Sequence, residues 1–238
     1  MEDVLEAYQR PLDADRPLVC LDEASTQLLA ETRKAIAVEP GKPKRVDAEY
    51  RRCGTASVFM VNAPLEGKRH VRVRQRRTRK DFAEIIRELC DDLYPHAERI
   101  VLVMDNLNTH GIASLYEAFE PSEARRLAEK LEIHYTPKHG SWLNMAEIEL
   151  SILSRQCMKD YFESREELAT VIGHWERSRN EKKTAPRCSV WVASGDQSPG
   201  PPEIYRFETC PQAGQAEALK AAHSASDGES WSQVVYIA

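Results

Sequence analysis

The stretch Ile100-Val101-Leu102-Val103-Met104 is apolar at every position and stops at Asp105. A strand with one face in water alternates apolar and polar residues. An unbroken apolar run instead predicts a central strand covered on both faces. That requirement points to a layered α/β domain. Further short strands are expected at Pro17–Leu21, Ser57–Val61 and Glu132–Tyr135. Gln27–Leu29 either continues the first of these or opens the next. His70-Val71-Arg72-Val73-Arg74 alternates apolar and basic residues, the period of a half-buried strand.

Helix signals fall between the strands. Val4, Leu5 and Tyr8 give a short helical pattern before Pro11. Thr78 with Asp81 three residues on reads as a helix start, and Phe82, Ile85, Ile86 and Leu89 share one face behind it. Pro121 suits a first helical position. A helix is expected from Asn144 to about Met158. A capping-box pattern at Ser164–Glu167 opens another, running through Trp175. The early strands are read as antiparallel and the later ones as parallel additions.

The chain has 238 residues and a formal net charge of -5, with 42% hydrophobic and 30% charged residues. This balance excludes a collagen, a mucin-like stalk and a wholly disordered chain. No apolar run approaches the roughly 20 residues of a membrane helix, and the acidic start MEDVLEAYQR lacks the apolar core of a signal peptide. The six cysteines are scattered with no C-x-x-C pair, which fits reduced thiols in the cytosol. Any contact with nucleic acid must come from clustered cations. Lys68, Arg69, Arg72, Arg74, Arg76, Arg77, Arg79 and Lys80 form one such stretch, and Lys42, Lys44 and Arg45 another. Cations so grouped either neutralise DNA phosphates or protect an exposed strand edge.

Three carboxylates stand where chemistry is possible. Asp22 and Asp105 each end an apolar strand, and Glu147 lies in the first turn of a helix. Aspartates on neighbouring strands about 4.8 Å apart can share a cation. Magnesium takes one or two carboxylates together with waters and phosphates. Each acid also has a structural reading, as a turn or cap residue, and Glu147 stands at capping-box spacing from Asn144. Glu149 is its rival. The two side chains project about 200° apart on a helix, and spacing does not choose between them. His134 and His139 make a poor metal pair, because magnesium prefers oxygen. Lys138, His139 and Trp142 occupy the loop just before Glu147, where they suit contact with DNA, although Trp142 also suits the core.

LDEAS (21–25), VLVMDNLNTH (101–110) and LEIHYTPKHGSWLNMAEIELSILSRQC (131–157) together resemble the bacterial insertion-sequence DDE transposases of the mariner superfamily. The resemblance covers about residues 1–183. It implies an RNase H-like fold, an α/β domain with a mixed five-stranded sheet flanked by helices. It also implies cleavage and strand transfer of double-stranded DNA with two Mg2+ (or Mn2+) ions. Water would attack in cleavage, and a freed 3′-hydroxyl in strand transfer. The family's acids fall on Asp22, Asp105 and Glu147 as catalytic and metal-binding residues. Asn144-Met145-Ala146 stands where the wider superfamily has Asn-Pro-Ile, an alignment that favours Glu147 over Glu149. Asn106 and His110 can orient a metal-bound water or a phosphate, and His110 can equally be a hydrogen-bonded helix-start residue. Arg72, Arg74, Arg76, Arg77, Lys138, His139 and Trp142 are the candidates for DNA contact.

The resemblance further implies transposon ends and target DNA as partners, a homodimer, and cytoplasmic work at a bacterial nucleoid. Relatives carry N-terminal helix-turn-helix modules, so a separate DNA-binding part is expected here. WERSRNEKK (175–183) fits the family, and the sequence after it does not. We therefore read residues 184–238 as an irregular tail, disordered or translated out of frame. A catalytically inert remnant that dimerises with or inhibits intact transposase is the competing expectation.

Overall fold

The computed structural model describes residues 1–32, 49–138, 140–158 and 160–183, and the backbone of 188–192 and 203–207. Its centre is one five-stranded sheet in the order β3-β2-β1-β4-β5, formed by β1 (Leu18–Glu31), β2 (Tyr50–Ala63), β3 (Lys68–Arg74), β4 (Ile100–Met104) and β5 (Leu131–Tyr135). β1, β2 and β3 pair antiparallel, and β4 and β5 add parallel to β1. The mixed sheet expected from the sequence is therefore present.

The apolar run of β4 is explained by its position. Val101 and Val103 enter one core, and Ile100, Leu102 and Met104 enter the other. The same alternation divides Leu18 and Cys20 of β1 from Val19 and Leu21. The first core lies under α1 (Glu2–Tyr8), α5 (Met145–Cys157) and α6 (Arg165–Glu181). The second lies under α2 (Arg79–Arg87), the π-helical turn Glu88–Leu93, α3 (Ile112–Ala118) and α4 (Pro121–Glu129). Among the described residues no helix is long and apolar enough to cross a membrane.

Several helix starts fall where their caps predict. Thr78 and Asp81 close a reciprocal capping box, Pro121 opens α4, and Ser164 accepts a hydrogen bond from the Glu167 amide. Other elements differ from expectation. β1 and β2 run on as 14-residue strands, because each completes the other's hydrogen bonds well beyond the covered part of the sheet. The pairing carries a bulge at Leu28/Leu29, opposite Gly54, whose φ of 112° suits a residue without a Cβ. Helix α3 starts just after His110, one of the two readings offered for that residue, with Gly111 at its N-cap and no side-chain cap. α6 continues six residues past Trp175 to Glu181, and this polar end is held by the sheet edge. The Asn180 side chain accepts from the Arg69 amide (2.9 Å) and donates to the Arg69 carbonyl (2.8 Å), which partners part of the β3 edge. In the stretch read as an irregular tail, β6 (Cys188–Val192) pairs antiparallel with β7 (Glu203–Phe207). The rest of that stretch, and the Lys42, Lys44 and Arg45 cluster, lie outside the described residues.

One buried ion cluster ties these layers together. Glu149 of α5 accepts from Arg69 of β3 at 3.1 Å and from Arg179 of α6 at 3.0 Å, both on Oε1. The Arg69 and Glu149 side chains are wholly buried. Removing one partner strands charge in the core. We expect Glu149→Ala to cost about 3–5 kcal/mol in urea unfolding. Glu147→Ala, at an exposed position of the same helix, should stay within about 0.5 kcal/mol of wild type.

Candidate metal centre

The parallel pairing of β1 with β4 sets the first half of the site. Leu18, Val19 and Cys20 stand opposite Val101, Leu102 and Val103. Continued two residues further, this register brings Asp22 level with Asp105, one strand spacing away. By the alternation of the strands, Asp22 falls on the face covered by α5.

The N-terminus of α5 is fastened beside these residues. Asn144 donates from Nδ2 to the Leu21 carbonyl at 2.8 Å and accepts on Oδ1 from the Ala146 amide at 3.1 Å. One side chain thus caps the helix and anchors it to β1 next to Asp22. Tyr8 of α1 secures the same junction by donating to the Leu143 carbonyl at 2.7 Å. Glu147 takes no part in a reciprocal capping box. Its side chain is exposed and makes no hydrogen bond to a described residue. Glu149 is held in the buried ion cluster. Of the two glutamates between which spacing did not choose, Glu147 is exposed and Glu149 is buried.

The electrostatics of Asp22 register the grouping. Burial lifts its carboxyl from 3.8 to about 7. The Glu23 amide, donating at 2.8 Å, draws it down, while the negative charges of Asp105, Glu23 and Glu147 push it up. Asp105 is held by His110, whose Nδ1 contacts Oδ1. The His110 Nε2 lies 2.7 Å from Oε2 of Glu23. Burial alone would lower the His110 pKa, but hydrogen bonds to Asp105 and Glu23 and their charges carry it to about 9. Glu23 was not singled out from sequence. The available signal was parity, because Glu23 shares its strand face with the core residues Val19 and Leu21.

The remaining candidates separate. Asn106 is exposed in the loop after β4 and bonds to no described side chain or backbone group. Arg72 and Arg74 share a face, as expected, but that face is occupied. Glu88 accepts from Arg72 Nε at 2.7 Å and from Arg74 Nη2 at 2.6 Å. Burial alone would raise the Glu88 pKa, yet Arg72, His70 and Arg74 hold it below the usual carboxylate range. Arg76 and Arg77 lie beyond the end of β3 and are exposed. Lys138 is exposed, Trp142 is half-buried against the first core, and His139 lies outside the described residues. His134 is buried and bonded to Asp3 and Glu132, a structural role.

Among the described residues, no three His, Cys, Asp or Glu side chains are grouped closely enough to enclose one ion. The donor chemistry nevertheless suits a hard divalent cation, which needs only one or two protein carboxylates when water and phosphate complete its shell. Mutual repulsion at Asp22 is what such an ion would relieve. The folded chain keeps a proton on Asp22 that the unfolded chain releases near pH 4, so stability falls as pH rises from about 4 to about 7. Asp22→Asn should therefore exceed wild type by about 1–3 kcal/mol at pH 8 and match it near pH 4, measured by urea unfolding at each pH.

A family model described as DDE superfamily endonuclease matches residues 17–169. Among solved structures, the chain is similar to the Mos1 mariner paired end complex with Mn, at 16% identity and a TM-score of 0.51, over 76% of this chain and 54% of that one. The Mos1 transposase paired-end complex with left transposon end gives 15% and 0.52, over 76% and 55%. The Mos1 strand transfer complex gives 16% and 0.52, over 76% and 53%. At this identity the likeness is one of fold, the RNase H-like fold expected from the sequence. The chain spans about half the length of these structures. No curated protein matches it.

Proposed function

The chain belongs to the DDE superfamily endonucleases, and from that premise we propose that it is the catalytic domain of a transposase, cutting and joining double-stranded DNA. The observation that carries this reading is the arrangement of Asp22 and Asp105 level on adjacent parallel strands, with the exposed Glu147 on the helix fastened beside them. Asp22, Asp105 and Glu147 would hold two Mg2+ or Mn2+ ions. When bound, these ions would supply activation of the attacking oxygen and neutralisation of the leaving one.

Each residue's part follows from its surroundings. Asp22, its carboxyl raised by burial to about 7, would be held ionised by an arriving cation. Asp105 keeps one oxygen on His110 and has the other for a ligand. Asn144 fixes the distance of α5, and hence of Glu147, from β1. Arg76, Arg77, Lys138, His139 and Trp142 would line the approach of the DNA backbone. Arg72 and Arg74 serve DNA less directly, since Glu88 already meets their charge. Contacts of this kind set position rather than sequence. Water would be the nucleophile in cleavage and a freed 3′-hydroxyl in strand transfer. A second copy of the chain and a helix-turn-helix part would bring transposon ends and target together, at the nucleoid in the cytoplasm.

The test is cleavage of plasmid DNA by the full chain with Mg2+ or Mn2+. We expect nicking that chelation abolishes and that Asp105→Asn or Glu147→Gln reduces to background. A chain that binds DNA yet nicks nothing with either ion would overturn the proposal. Undiminished nicking by Glu147→Gln would remove Glu147 from the site.

A further inference from the structure

The buried hydroxyl of Tyr8 lies where three elements meet. It donates to the Leu143 carbonyl at 2.7 Å and accepts from the Met145 amide at 3.3 Å. Cys20 Sγ of β1 stands 3.4 Å away. Two of these contacts fall two residues before a proposed ligand. Met145 precedes Glu147 on α5, and Cys20 precedes Asp22 on β1. Residues two apart on a strand share a face, so Cys20 and Asp22 project to the same side. The first amides of an α-helix find no partner within it. On α5, Tyr8 takes the Met145 amide and Asn144 takes the Ala146 amide. The residue that follows these two is Glu147.

Tyr8 is itself held from outside the site. Val4, Leu5 and Ala7 of the same helix, α1, are buried in the first core. Two polar contacts fasten α1 and the residues after it to β5. Asp3 meets His134 Nδ1 at 2.9 Å, and Arg10 Nη1 donates to Glu132 Oε1 at 2.6 Å. β5 is an edge strand, beyond β4 from β1. Asn144 refers the start of α5 to β1 alone, at the Leu21 carbonyl. Tyr8 adds a second reference, to a helix anchored on the sheet edge.

We infer that Tyr8 is a positioning residue for the metal centre, its hydroxyl setting the spacing of Glu147 from Asp22 through Met145 and Cys20. The two carboxylates stand on different elements, a helix and a strand. A ligand set that must be ordered when the cation arrives binds it more weakly than one already in place. The phenol ties both elements at one atom, close to both acids in sequence. Removing the hydroxyl while keeping the ring releases that tie and nearly conserves side-chain volume, a change that packed cores tolerate well.

This inference rests on the reading of Asp22 and Glu147 as cation ligands, and one experiment separates the two. Mn2+ is titrated into the full-length wild type, Tyr8→Phe, Glu147→Gln and Ile86→Val, with free Mn2+ followed by electron paramagnetic resonance and folding checked by circular dichroism. Ile86 is wholly buried in the second core, so its variant controls for lost stability alone. We expect Glu147→Gln to lose binding and Ile86→Val to bind as wild type. Tyr8→Phe should fold and bind about two- to tenfold more weakly, the range that one hydrogen bond is worth. Wild-type affinity in Tyr8→Phe, with loss in Glu147→Gln, would overturn the inference and leave the ligand reading standing. An equal loss in Ile86→Val would also overturn it, as an effect of stability. Undiminished affinity in Glu147→Gln, or no binding by wild type, would overturn both. Should Tyr8→Phe fail to fold, amide hydrogen exchange of the wild type decides. Coupling is reciprocal, so slower exchange at Met145 on addition of Mg2+ supports the inference, and an unchanged rate at saturating Mg2+ overturns it.

Discussion

The parallel pairing of β4 with β1 is the constraint on which the rest depends. It places an apolar strand between two neighbours, so both of its faces must be covered, and helices pack on each side. It also brings Asp22, within β1, level with Asp105, just past the end of β4. The helix that completes the site is tied to the same place, because Asn144 uses the Leu21 carbonyl as its anchor. Fold and site thus share one set of hydrogen bonds.

Two pairs of acids show the same division. Asp22 and Glu23 are neighbours on a strand, and Glu147 and Glu149 are separated by half a helical turn. In each pair one carboxylate is buried against a fixed cation, His110 for Glu23 and Arg69 with Arg179 for Glu149. The other carboxylate is left with little local compensation. The carboxyl of Asp22 is raised chiefly by burial, and the negative charges of Asp105, Glu23 and Glu147 add to the rise. An unfavourable arrangement of like charges is sustained because the surrounding structure holds these groups in place.

Much of this was legible in the sequence. The apolar run of β4, the aspartates that close the two apolar runs and the start of α5 all carry local signals, although β1 itself continues to Glu31. The choice between Glu147 and Glu149 was not legible from spacing. Helical period gives the angle between two side chains but not which one faces the core. The deciding partners, Arg69 and Arg179, lie 80 and 30 residues away. The basic stripe misled for a similar reason. Arg72 and Arg74 alternate as an open cationic face would, but the π-helical turn brings Glu88 over them. Helix α3 left only the hint of a helix start at His110, because glycine at its N-cap offers no side-chain cap to recognise.

The opposite facing of Asp22 and Glu23 has an evolutionary consequence. A one-residue slip of β1 would exchange the two acids and turn its apolar residues out of their cores together. An insertion or deletion in this strand would therefore abolish folding and the site in a single event. Point substitutions at Asp22 alone carry no such coupling. A lineage losing activity while keeping a folded chain is thus expected to leave its mark as a changed side chain at position 22, with the length of β1 unaltered.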